Sequence, residues 1–148
     1  MVSDPSEIIR KYASGEEDIK PSIKAFSVDA SKLRDLVKEL VEAYGEDRVF
    51  VSTIVGVDRP QQGVIEVDIF LVVLGYAPVY CLKISVPRDN PKMPSIVDLL
   101  PSALVGELEA HDVLGIVFEG NPHLRRPVFV PEELVEKGVY PLRKDFKV

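Results

Sequence analysis

The stretch DRVFVSTIVGVDRPQQGVIEVDIFLVVLGYAPVYCLKISVP, residues 47–87, decides the fold. It holds three runs rich in β-branched residues, 47–58, 63–74 and 79–87, and between them lie DRPQQG and GYAP. Proline and glycine at such joints reverse a chain, so the pattern predicts an antiparallel meander of three strands. Upstream, Leu33, Leu36, Val37, Leu40, Val41 and Tyr44 recur at steps of three and four behind Asp29, which predicts an amphipathic helix ended by Gly45. PSIKAFSVD, residues 21–29, reads as a further short strand. Asp4, Pro5 and Glu7 form a capping-box start for a first short helix, with Gly15 as its stop. Downstream, three prolines stiffen the loop 86–95. Ser95 and Asp98 suggest a second capping box for SIVDLLP, and SALVGELEAHDVLG reads as another helix with Leu104, Leu108 and Val105 inward. The expected fold class is α+β: a two-layer body over residues 1–118, its mixed or antiparallel sheet covered by helices, then an extended C-terminal tail over residues 119–148.

A chain of 148 residues is the size of one domain and buries roughly 70% of its unfolded surface. Its composition, 46% hydrophobic and 28% charged, is that of a globular protein, and it lacks the run of ~20 apolar residues that a membrane span needs. The first twenty residues carry acids and no apolar core of a signal sequence, which points to the cytoplasm. Cys81, the single cysteine, has no partner for an internal disulfide and reads as a core thiol. One thiolate cannot hold an iron–sulfur cluster. Residues 119–148 hold six basic and five acidic side chains, net +1, against twelve and nineteen in the remainder, net −7. An acidic body disfavours a nucleic-acid partner.

The segment ISVPRDNPKMPSIVDLLPSALVGELEAHDVLGIVFEGNPHLRR, with YPLRKDF downstream, resembles the 30 kDa subunit family of respiratory complex I, which also serves complex I-like energy-converting nickel–iron hydrogenases. The likeness runs from about Gly56 to Phe146. Glu107, Glu109, Asp112, Gly115, Ile116, Phe118, Gly120, Pro122, Leu124, Arg125 and Arg126 fall on the family pattern, as do Pro141, Leu142, Arg143, Lys144 and Asp145. The chain departs from it at Val105, where an aromatic is usual, at Leu108 for Arg, at Asn121 for His and at His123 for Asp. The ending GVYPLRKDF looks more like the hydrogenase-type members.

The resemblance implies a non-catalytic peripheral-arm subunit, on the cytoplasmic face of the membrane, that clamps a large catalytic subunit and a small iron–sulfur subunit. Clusters, and nickel with iron in hydrogenase-type complexes, then belong to those partners, and this chain carries no cofactor, catalytic residue or metal ligand. The partner-binding residues it implies are Glu107, Glu109, Asp112, Arg125, Arg126, Arg143, Lys144 and Asp145. Independent physics agrees with a reaching tail. Thirty residues at ~3.3 Å each span about 100 Å, against a radius of gyration near 15 Å for the domain. Pro122, Pro127, Pro131 and Pro141 stiffen the segment, and its arginines offer planar donors to carboxylates. Other readings of the same residues stay open. Glu107 and His111 stand one helical turn apart but are too few for a metal site, and no nucleophile-and-base pair or phosphate loop accompanies them. A quinone-reducing complex is the alternative to a hydrogenase-type one, and a free-standing small enzyme or binding domain is the second class.

Overall fold

The computed structural model describes residues 4–146; the outermost residues of the expected body and tail, 1–3 and 147–148, lie outside it. The elements run α1 (Pro5–Arg10), β1 (Ala13–Lys20), β2 (Ile23–Val28), α2 (Leu33–Tyr44), β3 (Val49–Arg59), β4 (Val64–Val73), β5 (Val79–Pro87), β6 (Lys92–Pro94), α3 (Leu104–Leu114), β7 (Val117–Glu119) and α4 (Glu132–Glu136). Five strands form one sheet in the order β1-β2-β5-β4-β3, and β6 and β7 pair alone. The architecture is α+β, as expected.

Residues 49–87 form the meander that their turns predict, with Val49 opposite Val73 and Val64 opposite Pro87. The sheet is mixed because β2 returns beside β5 in parallel, Ala25 facing Cys81 and Ser27 facing Lys83. Period-two alternation then sorts the side chains: Ile65, Val67, Ile69 and Leu71 of β4 stand opposite Val86, Ile84, Leu82 and Tyr80 of β5. All eight are buried. Onto this face α2 lays Leu33, Leu36, Val37 and Leu40, each fully buried, in one core cluster that also takes Ile9 of α1. Such a side chain contributes about 1.5–3 kcal/mol when taken out of water. Cys81 is also fully buried, and burial pushes its thiol up to about 12.

Three local expectations are corrected. Gly15 does not stop α1; the helix ends at Arg10 and β1 passes through Gly15. That strand carries Glu16, Glu17, Asp18 and Lys20 and is exposed along nearly its whole length, so as an edge it shows no apolar alternation to read. Residues 95–100 form a turn closed by Leu100 N–H on the Ile96 carbonyl, not a helix. Ser95 still accepts the Val97 N–H at 3.1 Å, but both residues are drawn to tertiary partners, Ser95 donating to Glu107 and Asp98 taking a two-pronged pair from Arg34 at 2.7 and 2.8 Å. Val105 points outward at 61% exposure, whereas Leu108 is buried as expected and Leu104 is half-buried.

Candidate functional site

Helix α3 anchors the acidic and basic residues of the family-like pattern, and it packs against β3 through two glycines. A Cβ on Gly106 would lie 2.8 Å from Ile54, and one on Gly56 would lie 2.2 Å from Leu114. The close approach puts two acids of α3, Glu107 and Asp112, in the interior at zero exposure. A buried carboxylate is tolerated only when donors surround it.

Glu107 accepts the Ser95 hydroxyl at 2.6 Å, the Ile96 N–H at 3.0 Å and the Asn121 side-chain amide at 2.9 Å. One side chain thereby ties α3 to the 95–100 turn and to the start of the C-terminal segment. Asn121 occupies the position where the family usually has His, and it retains a donor toward Glu107.

Asp112 does the same one turn further on. Its Oδ2 accepts the backbone N–H groups of Val128 at 2.9 Å and Val130 at 3.0 Å, and that of Phe129 between them. Its Oδ1 stands 3.3 Å from Arg126 Nε. Arg126 donates in turn to the Asp112 carbonyl at 3.0 Å and to the Val139 carbonyl. Its guanidinium lies 4.2 Å from the centre of the Tyr140 ring, and Arg143 lies 5.4 Å from the same ring. Tyr140 rests on Gly115, whose φ of +81° ends α3 and whose missing Cβ would sit 2.9 Å from the ring.

A third carboxylate completes the arrangement. Asp58, at the end of β3 and 2% exposed, takes a two-pronged bond from Arg88 at 2.7 and 2.9 Å and the Lys144 N–H at 2.7 Å. Arg143 donates to the Leu114 carbonyl at 2.9 Å and the Arg88 carbonyl at 3.3 Å, while Asp145 stands 3.5 Å from Arg88. Residues 121–146 are therefore a strap laid along the body, pinned near its start by Glu107, in its middle by Asp112 and near its end by Asp58. Strand β7 runs across the expected boundary at 118/119.

The eight residues singled out in the sequence divide into two sets. Glu107, Asp112, Arg126 and Arg143 are turned to groups within the chain. Glu109, Arg125, Lys144 and Asp145 are exposed. Asp58, Arg88 and Tyr140 belong to the network and were not singled out, and Ser95 was read only as a helix cap. Asp58 and Arg88 sit thirty residues apart with no motif to link them. The acid at the end of an apolar strand was the one available signal for the first.

Electrostatics fits a pinning role. Burial pushes the Asp112 carboxyl up, but three backbone donors and the Arg126 charge outweigh it and leave the group below the ordinary carboxylate range. Asp58 is held low chiefly by its bonds to Arg88. For an acid whose pKa is depressed on folding, the stabilisation is present above the unfolded value near ~3.9 and is lost as pH falls through the lower folded value. Amide-exchange protection of Val128, Phe129 and Val130 is accordingly expected to be level from about pH 8 to 5 and to fall below about pH 4. Protection that declines already at pH 6 would contradict this.

Fold and site together define a class: an α+β domain whose C-terminal segment is clamped to its own body by buried carboxylates. The chain belongs to the respiratory-chain NADH dehydrogenase 30 kDa subunit family, which it matches over residues 26–148. It is 36% identical over 127 residues to a subunit of NADH-quinone oxidoreductase from Moorella thermoacetica, covering 85% of this chain and 81% of that one. It is 30% identical over 125 residues to a subunit of F420H2 dehydrogenase from Methanosarcina mazei, covering 84% and 75%. A chain in the structure of the membrane-bound sulfane sulfur reductase, an archaeal respiratory membrane complex, superposes with a TM-score of 0.80 at 30% identity, covering 97% of this chain and 83% of that one. Among the described residues no helix is long and apolar enough to cross a membrane.

Proposed function

We propose that this chain is a non-catalytic peripheral subunit of a complex I-like membrane-bound oxidoreductase, held on the cytoplasmic face through a large catalytic subunit and a small iron–sulfur subunit. The observation that carries the reading is the strap. Internal pins fix its backbone, and that backbone holds Arg125, Phe129, Leu142 and Lys144 outward, Phe129 and Leu142 at 53% and 54% exposure. Apolar and arginine side chains preordered on a rigid backbone lose little entropy on docking, which suits a subunit interface. Membership of a family whose relatives carry the names of NADH-, F420H2- and sulfur-linked complexes supports the same class. Within it, the hydrogenase-like ending GVYPLRKDF favours a hydrogen-evolving or similar low-potential complex, and a quinone-reducing complex is the alternative. Clusters and any nickel reside in the partners on this reading.

The test is affinity purification of the tagged chain from native membranes, wild type against Arg125→Glu. Arg125 is exposed and makes no bond or ion pair among the described residues, so the variant leaves the fold alone. Wild type is expected to retain a large subunit and an iron–sulfur subunit, and Arg125→Glu to retain roughly tenfold less, a loss typical of an interfacial charge reversal. A folded wild-type chain that recovers neither subunit would show that the domain works alone.

A further inference from the structure

The five-stranded sheet ends in two edges of opposite character. At one, β1 is broken by register shifts between Ala13 and Gly15 and between Asp18 and Lys20, and its residues 16–20 carry four charges. That is how an edge is protected from further pairing. At the other, β3 pairs with β4 alone, and its residues 49–57, VFVSTIVGV, carry no charge. Ser102 caps the Val51 N–H at 2.8 Å; beside Thr53–Gly56 a groove of about 110 Å³ runs between β3 and α3. Thr53, Val55 and Gly56 form one wall, and Glu109, Val113 and Leu142 form the other. Val55 is 43% exposed, and Leu142 is set in place by its N–H on the Val113 carbonyl at 3.0 Å. On α3 the spacing of Val105, Glu109 and Val113 puts one carboxylate between two valines on a single stripe. Glu109 has no hydrogen bond or ion pair among the described residues.

We propose that the β3 edge receives an extended segment of a neighbouring subunit, which adds a sixth strand beside Thr53–Val57 and sets a lysine or arginine against Glu109. The assignment rests on the subunit reading above and identifies where one partner engages. Strand addition needs a strand with one unpaired side and apolar surface beside it; β3 pairs in the sheet with β4 alone, and Val55, Val113 and Leu142 supply the apolar surface. The charge selects the occupant. A second copy pairing through the same strand would bring another Glu109 and, within residues 49–57, no basic residue to meet it. The groove also continues into the strap through Leu142, so one partner can cover both surfaces.

The experiment places a photo-crosslinking amino acid at Val55 in the full chain, expressed in its own host, and sequences the adduct in the complex isolated from membranes. Asp18 on the β1 edge serves as the control position. The expected adduct is a segment of another subunit with a lysine or arginine within about two residues of the linked one. Amides of residues 52–57 are expected to exchange ~100-fold more slowly in the complex than in the free chain. Glu109→Lys is expected to reduce recovery of that subunit about tenfold, with the fold intact because the side chain is exposed. A Val55 adduct to another copy of this chain, or to a segment without a basic residue, overturns the proposal. So does a chain recovered in its complex with Val55 unlinked and amides 52–57 unprotected, and that result leaves the subunit reading standing. A chain recovered in no membrane complex overturns both.

Discussion

Asp112→Ala is expected to free residues 121–146 from the body while the sheet stays folded. The substitution leaves the N–H groups of Val128, Phe129 and Val130 without their common acceptor and deprives Arg126 of its counter-charge. Each orphaned donor costs about 1–3 kcal/mol if it stays buried, so the strap lowers its free energy by leaving the surface and hydrating. A loss of about 3–5 kcal/mol in docking corresponds to a rise of roughly 100-fold or more in the released fraction. Trypsin reads this directly, since Arg125, Lys137, Arg143 and Lys144, none of them followed by proline, all lie on the strap. Limited proteolysis of the isolated chain is expected to be slow in wild type and to accelerate by about two orders of magnitude in the variant, leaving a stable product near residue 125. Equal cleavage rates would mean that Asp112 does not hold the strap.

Glu107→Ala should act on the whole domain. Its carboxylate joins three segments: α3, the 95–100 turn and Asn121. Truncation buries a hydroxyl, a backbone N–H and an amide without an acceptor and opens a void in the same place, with an expected cost of about 3–5 kcal/mol. For a domain of this size that lowers Tm by roughly 10–15 °C, measurable by circular dichroism. Glu107→Gln is expected to recover little, because it replaces one acceptor oxygen by a donor that faces other donors. A shift of under about 3 °C for alanine would show that solvent or neighbours take over the three bonds.

The two acids also show where the sequence is informative. The meander and α2 are legible because each is decided by a local period: alternation with turn chemistry for residues 47–87, and three-and-four spacing for residues 33–44. β1 and the 95–100 turn are not, because their conformations are decided by distant partners, β2 in one case and Glu107 and Arg34 in the other. The family-like pattern marked Glu107, Asp112, Arg126 and Arg143 as residues with a fixed role. It assigned them to a partner interface, whereas their side chains are turned to groups within the chain, since a carboxylate held by backbone N–H groups and one held by a partner's arginine look alike in one dimension. Asp58 and Arg88 were invisible for the complementary reason: their pairing is a product of the registers in which β3 and β5 each pair with β4.

The central placement of Cys81 gives these variants a common clock. The thiol is fully buried in β5, with strands on either side, and its proton is held far above neutrality. A thiol reagent therefore reacts at the rate at which the sheet itself opens. Asp112→Ala should leave that rate unchanged while its strap is cut, and Glu107→Ala should raise it. One buried thiol thus separates the loosening of a segment from the melting of the fold.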